Sequence, residues 1–295
     1  MTVHTNQKHA YLIMAHNNFD QLKVLISLLD DARNDIYLHV DKKATSFQPD
    51  SIKTERAGLF FVKPISVTWG GHSLITCEMI LFKNAAPKHY MYYHLLSGVD
   101  MPLKTQDEIH SFFQEHSGQN MISFDDRALE TRNFTNRVQY YHFFQNITGR
   151  STSPMMRFLH ILDRISVKIQ TLLHMKRKEI VPLYKGTQWV SITDEMVQYI
   201  LSCERIIRKQ FYYCFCGDEI FLQSIAMHSP YRDTIINNSY RAIDWLRGSP
   251  YTYRKEDVPE LLASANLFAR KFDSRVDAEA IRFIVEHLSC HEAVE

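Results

Sequence analysis

Phe211-Tyr-Tyr-Cys-Phe-Cys-Gly-Asp-Glu-Ile-Phe-Leu-Gln-Ser-Ile-Ala226 is the stretch on which the reading of the chain turns. Its first half is aromatic and apolar, the composition of a buried strand over 211–216. Gly217 breaks the run, Asp218 is a good N-cap, and Ile220, Phe221, Ile225 and Ala226 form a helical stripe. Glu219 then falls on the first turn of a helix at the C-terminal end of a strand, where α/β proteins gather ligands. The plainer reading gives Asp218 the cap and lets Glu219 complement the helix dipole. Taken alone the stretch favours that reading, and the rest of the chain shifts the balance.

Working outward, Tyr11–Ala15, Ile36–Asp41, Leu59–Val62, Ser66–Trp69, Met91–Leu96, Asn120–Phe124 and Trp189–Ile192 read as strands. Helices are expected from Phe19 to Leu29, from Ser73 to about Ala86, and from the capping-box-like Thr105-Gln-Asp-Glu108 to about His116. A capped helix follows Thr193 to about Ile206, and two more lie near 256–264 and 277–288. Strands alternating with helices at this spacing predict an α/β fold with a largely parallel sheet. No domain boundary interrupts residues 1–295.

The net charge of +1 gives no reason to expect a nucleic-acid partner. Five scattered cysteines make no disulfide framework, and no run of apolar residues is long enough to span a bilayer. Cys214 and Cys216 are too close for the usual zinc or redox spacing and read as core residues on one strand face. The N-terminus lacks an apolar signal core, so a cytoplasmic location is expected.

The least regular part runs from about 127 to 180. Within it, 154–178 is helix-like, with Met156, Leu159, Leu162, Ile165, Ile169 and Leu172 on one side. Arg157, Arg164, Lys168, Lys176, Arg177 and Lys178 add positive charge. The expectation is a helix packed on the domain by its apolar stripe, its charges solvated. The sharper reading is peripheral contact with an anionic membrane, at its inner face, or with a lipid-linked acceptor.

There is no G-x-G-x-x-G, no phosphate loop ending in Gly-Lys-Ser/Thr, no H-E-x-x-H and no G-x-S-x-G. His287-Leu-Ser-Cys-His291 is closer to a helix end than to a zinc site. What remains is Glu219 at a strand end, Asp100 at a turn, and Arg270-Lys271 between Phe268 and Phe272. Two cations in an apolar segment call for an anion, and a diphosphate would supply it. An exposed pair flanking a strand is the common alternative.

Five motifs now stand in order: Trp69-Gly-Gly-His-Ser73, Leu95-Leu-Ser-Gly-Val-Asp-Met-Pro-Leu-Lys104, Lys185-Gly-Thr-Gln-Trp189, Gly217-Asp-Glu219 and Leu267-Phe-Ala-Arg-Lys-Phe-Asp273. Together they resemble the core-2/I-branching β-1,6-N-acetylglucosaminyltransferase family, which includes the peptide O-xylosyltransferases. The resemblance is closest to bacterial-type members. It implies one GT-A domain over 1–295, a Rossmann-like mixed sheet flanked by helices, and inversion at the sugar's anomeric carbon. By the same resemblance Ala15, Asp41, Thr68 and Trp69 line a uridine pocket, and Ser249, Arg270 and Lys271 hold the diphosphate. Asp100, Gln188 and Trp189 complete the donor side, Trp189 also bordering the acceptor, and Glu219 is the general base.

Most GT-A enzymes hold a divalent metal with Asp-x-Asp, but the corresponding turn here reads Ser97-Gly-Val-Asp100. The family's metal-independent members use basic side chains instead, so no metal or cofactor is expected beyond the UDP-sugar substrate. The donor implied is UDP-N-acetylglucosamine and the acceptor a glycan or lipid-linked glycan. Gln188 stands where the xylosyltransferase branch has an acidic residue, which weighs against UDP-xylose. Asp125, Arg137, Tyr140 and Tyr141 are acceptor candidates because sugar sites favour aromatic faces and planar hydrogen-bonding groups. A silent glycan- or nucleotide-binding module, and a hydrolase using Asp100 and Glu219, are the competing readings.

Overall fold

Alternate residues of the first strand belong to two different cores: Ala10, Leu12 and Met14 to one, Tyr11, Ile13 and Ala15 to the other. A strand buried on both faces is the mark of a sheet sandwiched between helical layers. The structure, a computed structural model, describes residues 7–125 and 134–292. Its strands are β1 (His9–Ala15), β2 (Asn34–Val40), β3 (Gly58–Phe61), β4 (Tyr92–Ser97), β5 (Met101–Pro102), β6 (Asn120–Met121), β7 (Ser191–Thr193), β8 (Ile235–Ile236), β9 (Arg241–Ile243) and β10 (Phe268–Arg270). The larger sheet has the order β3-β2-β1-β4-β7-β6-β8, and a smaller one has the order β5-β10-β9. Neighbours from β3 to β4 are parallel, while β7 runs antiparallel to both β4 and β6. The fold is therefore the Rossmann-like mixed α/β sheet flanked by helices that the resemblance implied.

The helices are α1 (Phe19–Leu28), α2 (His72–Ala85), α3 (Gln106–Glu115), α4 (Asn136–Gln139), α5 (Gln145–Thr148), α6 (Pro154–Leu172), α7 (Asp194–Ser202), α8 (Glu204–Phe211), α9 (Phe221–His228), α10 (Val258–Ala263) and α11 (Ala278–Glu292). α2, α7 and α9 cover one face, and α1, α3, α10 and α11 cover the other. The capping box at Thr105 and Glu108 forms as the sequence predicts, with Glu108 N–H donating to Thr105 Oγ1 and Thr105 N–H to Glu108.

Two expected strands fail for one physical reason: backbone groups found partners outside a ladder. Phe211 ends α8, and the residues after it form no strand. Phe215 N–H donates to Arg137 O and Cys216 N–H to Gly70 O, so both are tied to loops. Ser66–Trp69 is likewise no strand, because Val67 N–H is taken by the Asp41 carboxylate and Thr68 N–H by Ser73 Oγ. Asp218 does not cap α9. It lies inside a short 3-10 turn, Gly217–Glu219, that precedes the helix.

The 127–180 excursion begins within residues 126–133, outside the described part. From 134 onward it holds α4, α5 and α6, and the expected packed stripe is met only by Met156, Leu159 and Leu162, which are half-buried. Phe158, Ile161, Ile165, Ile169 and Leu172 are exposed, whereas Asp163 and Gln170 are the buried residues of α6. No described helix is long and apolar enough to cross a membrane. The four cysteines at 77, 203, 214 and 216 are buried and free, and Cys290 is exposed.

Candidate active site

Because β1, β2 and β4 run in parallel, their C-terminal ends open on one edge of the sheet. The strand order reverses between β1 and β4, the place where such sheets leave a crevice for ligands. Ala15 ends β1, and Gly98 lies against it. A Cβ on Gly98 would stand 3.0 Å from that of Ala15, so the motif's glycine keeps the two strand ends close. Asp41 follows β2 and donates its N–H to Ala15 O at 2.9 Å. Its carboxylate accepts from Lys43 N at 2.9 Å and Val67 N at 3.3 Å. Ala15, Asp41 and the approach to Thr68 thus form one wall.

Trp69 continues that wall with 40 % of its surface exposed. Its ring meets Phe215 edge-on at 5.8 Å, and the Arg150 guanidinium lies over it at 3.8 Å. Arg137 stands 5.7 Å above the Phe215 ring and directs Nη1 to Glu219 Oε2 at 2.9 Å. Arg137, read from sequence as an acceptor residue, is the ion-pair partner of the candidate base. Among the described residues the other oxygen of Glu219 accepts no hydrogen bond.

From Glu219 the wall passes to the Lys185-Gly-Thr-Gln-Trp189 motif. Gly186 N–H donates to Glu219 O at 2.9 Å, and Gln223 Nε2 holds Thr187 O at 2.6 Å. Only a glycine fits at 186, since an added Cβ would lie 2.0 Å from Ser123 O. Three residues on, Trp189 is buried beneath the Arg270 guanidinium, 4.4 Å from its ring centre. Arg270 Nη1 in turn donates to Asp100 Oδ1 at 2.8 Å, while Asp100 Oδ2 accepts from Ser97 N at 2.8 Å. The anion that the Arg270 charge requires is therefore partly internal. Burial pushes the Asp100 carboxyl up, and Arg270 opposes it.

His16, next to Ala15, closes the circuit. The residue is exposed, and desolvation of its ring holds the imidazole below the usual range, with Asp41 raising it and Arg270 and Lys43 lowering it, so it lies in the field of both walls. β10 also delivers Lys271, whose carbonyl accepts from Tyr253 N at 2.9 Å. Among the described residues the Lys271 ammonium forms no ion pair. Ser249, exposed, precedes by two residues the Tyr251 carbonyl that accepts from Lys271 N–H at 3.5 Å.

The sequence profile of the Core-2/I-Branching enzyme family matches residues 9–264. The chain belongs to this family. It is 22 % identical over 312 residues to Xylosyltransferase 2 of Rattus norvegicus, covering 95 % of this chain and 33 % of that protein. Xylosyltransferase 1 of Canis lupus familiaris is also 22 % identical, over 92 % of this chain and 30 % of its own length. The chain thus spans about a third of the length of these relatives. A crystal structure of mouse Xyloside xylosyltransferase 1 superposes with a TM-score of 0.37 at 10 % identity, over 89 % of this chain and 96 % of that one. The family match ends before Arg270 and Lys271, which reach the site through the pairing of β10 with β9 and β5.

At Gly217-Asp-Glu219 the structure adds a buried acidic pair that sequence reasoning missed. Asp218 is buried, and burial raises its carboxyl to about 7, with the Glu219 charge adding and Arg137 opposing. Glu78 on α2 is also buried and raised well above the ordinary range, by desolvation first and by Asp218 second. Both Glu78 oxygens and Asp218 Oδ1 lack a hydrogen-bond partner among the described residues. A signal existed: Ile75, Glu78, Met79 and Phe82 share one helical face, and three of them are core residues.

Not every candidate converges. Tyr140 is buried at 5 % exposure, so its ring is packing rather than a sugar platform. Its neighbour Tyr141 is exposed and stacks on Phe143. Asp125 is exposed and pairs with Lys185, beside a cavity of about 400 Å³ lined in part by Phe124, Tyr184 and Arg232. Gln188 is half-buried and makes no side-chain hydrogen bond among the described residues.

Proposed function

We propose that this chain is an inverting glycosyltransferase domain that moves N-acetylglucosamine from UDP-N-acetylglucosamine to a glycan or lipid-linked glycan hydroxyl, without a metal. The carrying observation is the short Gly186–Trp189 segment, which holds the Glu219 backbone carbonyl at one end and lies under the Arg270 guanidinium at the other. A proton acceptor and a cationic end are what a direct displacement needs across one crevice. Arg137 fixes one oxygen of Glu219, leaving the other to take the acceptor's proton. The acceptor oxygen bonds to the anomeric carbon as the bond to the diphosphate oxygen breaks. UDP departs with the added negative charge, met by Arg270 and Lys271, with Ser249 alongside. Asp41, Ala15, Thr68 and Trp69 hold the uridine, and Gln188 and Trp189 the sugar.

The metal-free reading draws on Asp100. Both its oxygens are engaged, by Arg270 and by Ser97 N–H, which leaves it poorly suited to hold an ion. The same engagement argues against a hydrolase using Asp100 as its second carboxylate. UDP-xylose is the second reading for the donor, supported by the names of the relatives. UDP release from each sugar nucleotide, with and without EDTA, tests both. Glu219→Gln should lower turnover by about 10²-fold or more while UDP still binds. Turnover abolished by EDTA and restored by manganese removes the metal-free part. UDP binding without turnover on any donor leaves a silent binding module.

A further inference from the structure

Helix α6 leaves a large part of its apolar surface outside. At about 100° per residue, Phe158, Ile161, Ile165, Ile169 and Leu172 fall within an arc of roughly 80°. That arc is exposed: Phe158 is 55 %, Ile165 46 %, Ile169 50 % and Leu172 79 % accessible. Polar groups help to attach the opposite face, alongside the half-buried Met156, Leu159 and Leu162. Asp163 accepts from His142 Nδ1 at 2.9 Å and Phe144 N at 3.2 Å. Gln170 accepts from Tyr141 N at 2.8 Å and donates to Tyr141 O at 3.0 Å. These contacts are part-buried, and the apolar stripe cannot turn inward without breaking them.

Charge lies beside the stripe rather than opposite it. Arg157, Arg164 and Lys168 project within roughly 40° of one another, along one edge of the apolar arc. Lys176 and Lys178 follow, and all five are exposed. Residues 154–178 hold six Lys or Arg against the single, buried Asp163. An outward apolar stripe edged only by cations suits a surface that is apolar below and anionic at its rim, and a bilayer with anionic headgroups is such a surface.

We propose that α6 is a membrane-docking helix lying flat in the interface of an anionic bilayer. Phe158, Ile165 and Ile169 enter the acyl boundary, and Arg157, Arg164 and Lys168 meet lipid phosphates. A location at the inner face of the cytoplasmic membrane belongs to the same proposal. The helix is physically joined to the site. Arg177, just beyond it, donates its N–H to Gln139 O at 2.8 Å and Nη1 to Val138 O at 3.2 Å, and these residues adjoin Arg137 on α4. Docking therefore sets the Glu219 side of the crevice near the lipid surface. The helix's placement stands without the proposed reaction, and only this last consequence rests on it.

Flotation of the full chain with vesicles of phosphatidylcholine alone, or with 30 % phosphatidylglycerol, tests the proposal. Wild type should float with the anionic vesicles and little with the neutral ones, and added salt should weaken the binding. Ile165→Asn with Ile169→Asn should reduce the bound fraction tenfold or more, as should Arg164→Glu with Lys168→Glu. Circular dichroism and a UDP thermal shift, unchanged in both variants, would show that fold and nucleotide site persist. No flotation of folded wild type overturns the proposal, and so does binding indifferent to the stripe substitutions. A dimer in solution that Ile165→Asn abolishes would also overturn it, assigning the face to a second copy. Loss of turnover in Glu219→Gln bears on the reaction only, so the two readings fail separately.

Discussion

The carboxyl edge of the sheet and helix α6 dispose of polarity in opposite ways. At the sheet edge, charged groups are matched one to another: Arg270 to Asp100, Arg137 to Glu219, Lys43 to Asp41. On α6, Asp163 and Gln170 point inward beside the half-buried Met156, Leu159 and Leu162, but the stripe from Phe158 to Leu172 is left outside with a positive edge. The periodicity of α6 is as regular as that of any core helix. Two-faced spacing reveals that a helix has an apolar side; it does not say which side the rest of the molecule occupies. That is decided by what the neighbouring chain offers, here the Tyr141 and Phe144 backbone and the His142 ring.

The contrast is open to measurement, beginning where the effect is greatest. Asp100→Ala leaves Arg270 unmatched in a largely buried setting and should cost about 3–5 kcal/mol of stability in denaturant titration. A loss below 1 kcal/mol would mean that the sheet-edge pair is no more important than a surface contact. Lys271→Ala removes a cation that forms no ion pair among the described residues. It should leave stability within about 1 kcal/mol yet weaken UDP about 10- to 100-fold relative to uridine, by calorimetry. Equal losses for UDP and uridine would remove the diphosphate role.

Asp218 gives a pH test. Its folded carboxyl is raised to about 7 from an ordinary 3.8, so the folded state holds a proton that the unfolded chain releases. Stability should therefore fall as pH rises between those two values and level off above the higher one. Asp218→Asn should flatten that slope and raise Tm at pH 8 relative to wild type, with little change at pH 4. A slope that survives the substitution assigns it to another group, Glu78 first. The smallest effect is expected on α6, where Ile165→Asn should change stability by about 0.5 kcal/mol or less. A cost like that of a core substitution would show the stripe to be covered.

Much of the central sheet was legible because burial on both faces leaves near-continuous apolar runs such as Tyr11–Ala15 and Met91–Leu96. The elements that failed, Ser66–Trp69 and Phe211–Cys216, have strand composition but give their N–H groups to Asp41, Ser73, Arg137 and Gly70. All of those partners but Ser73, five positions from Thr68, are distant in the sequence. Arg137 was visible as a candidate but not in its place, since its contact with Glu219 spans 82 positions. Glu78 stood in plain view on an apolar helical face, and the reading passed over it.

By itself the sequence determined which segments become β1, β2, β4 and their covering helices, and it singled out Glu219, Asp100, Arg270 and Lys271 as chemically costly residues. Local propensity and the price of burying charge suffice for that. Only the tertiary structure decided that Arg270 leans on Trp189 and Asp100, that Arg137 grips Glu219, and that α6 leaves its stripe from Phe158 to Leu172 outside. Each of these depends on contacts between residues far apart along the chain, whose geometry no local pattern encodes.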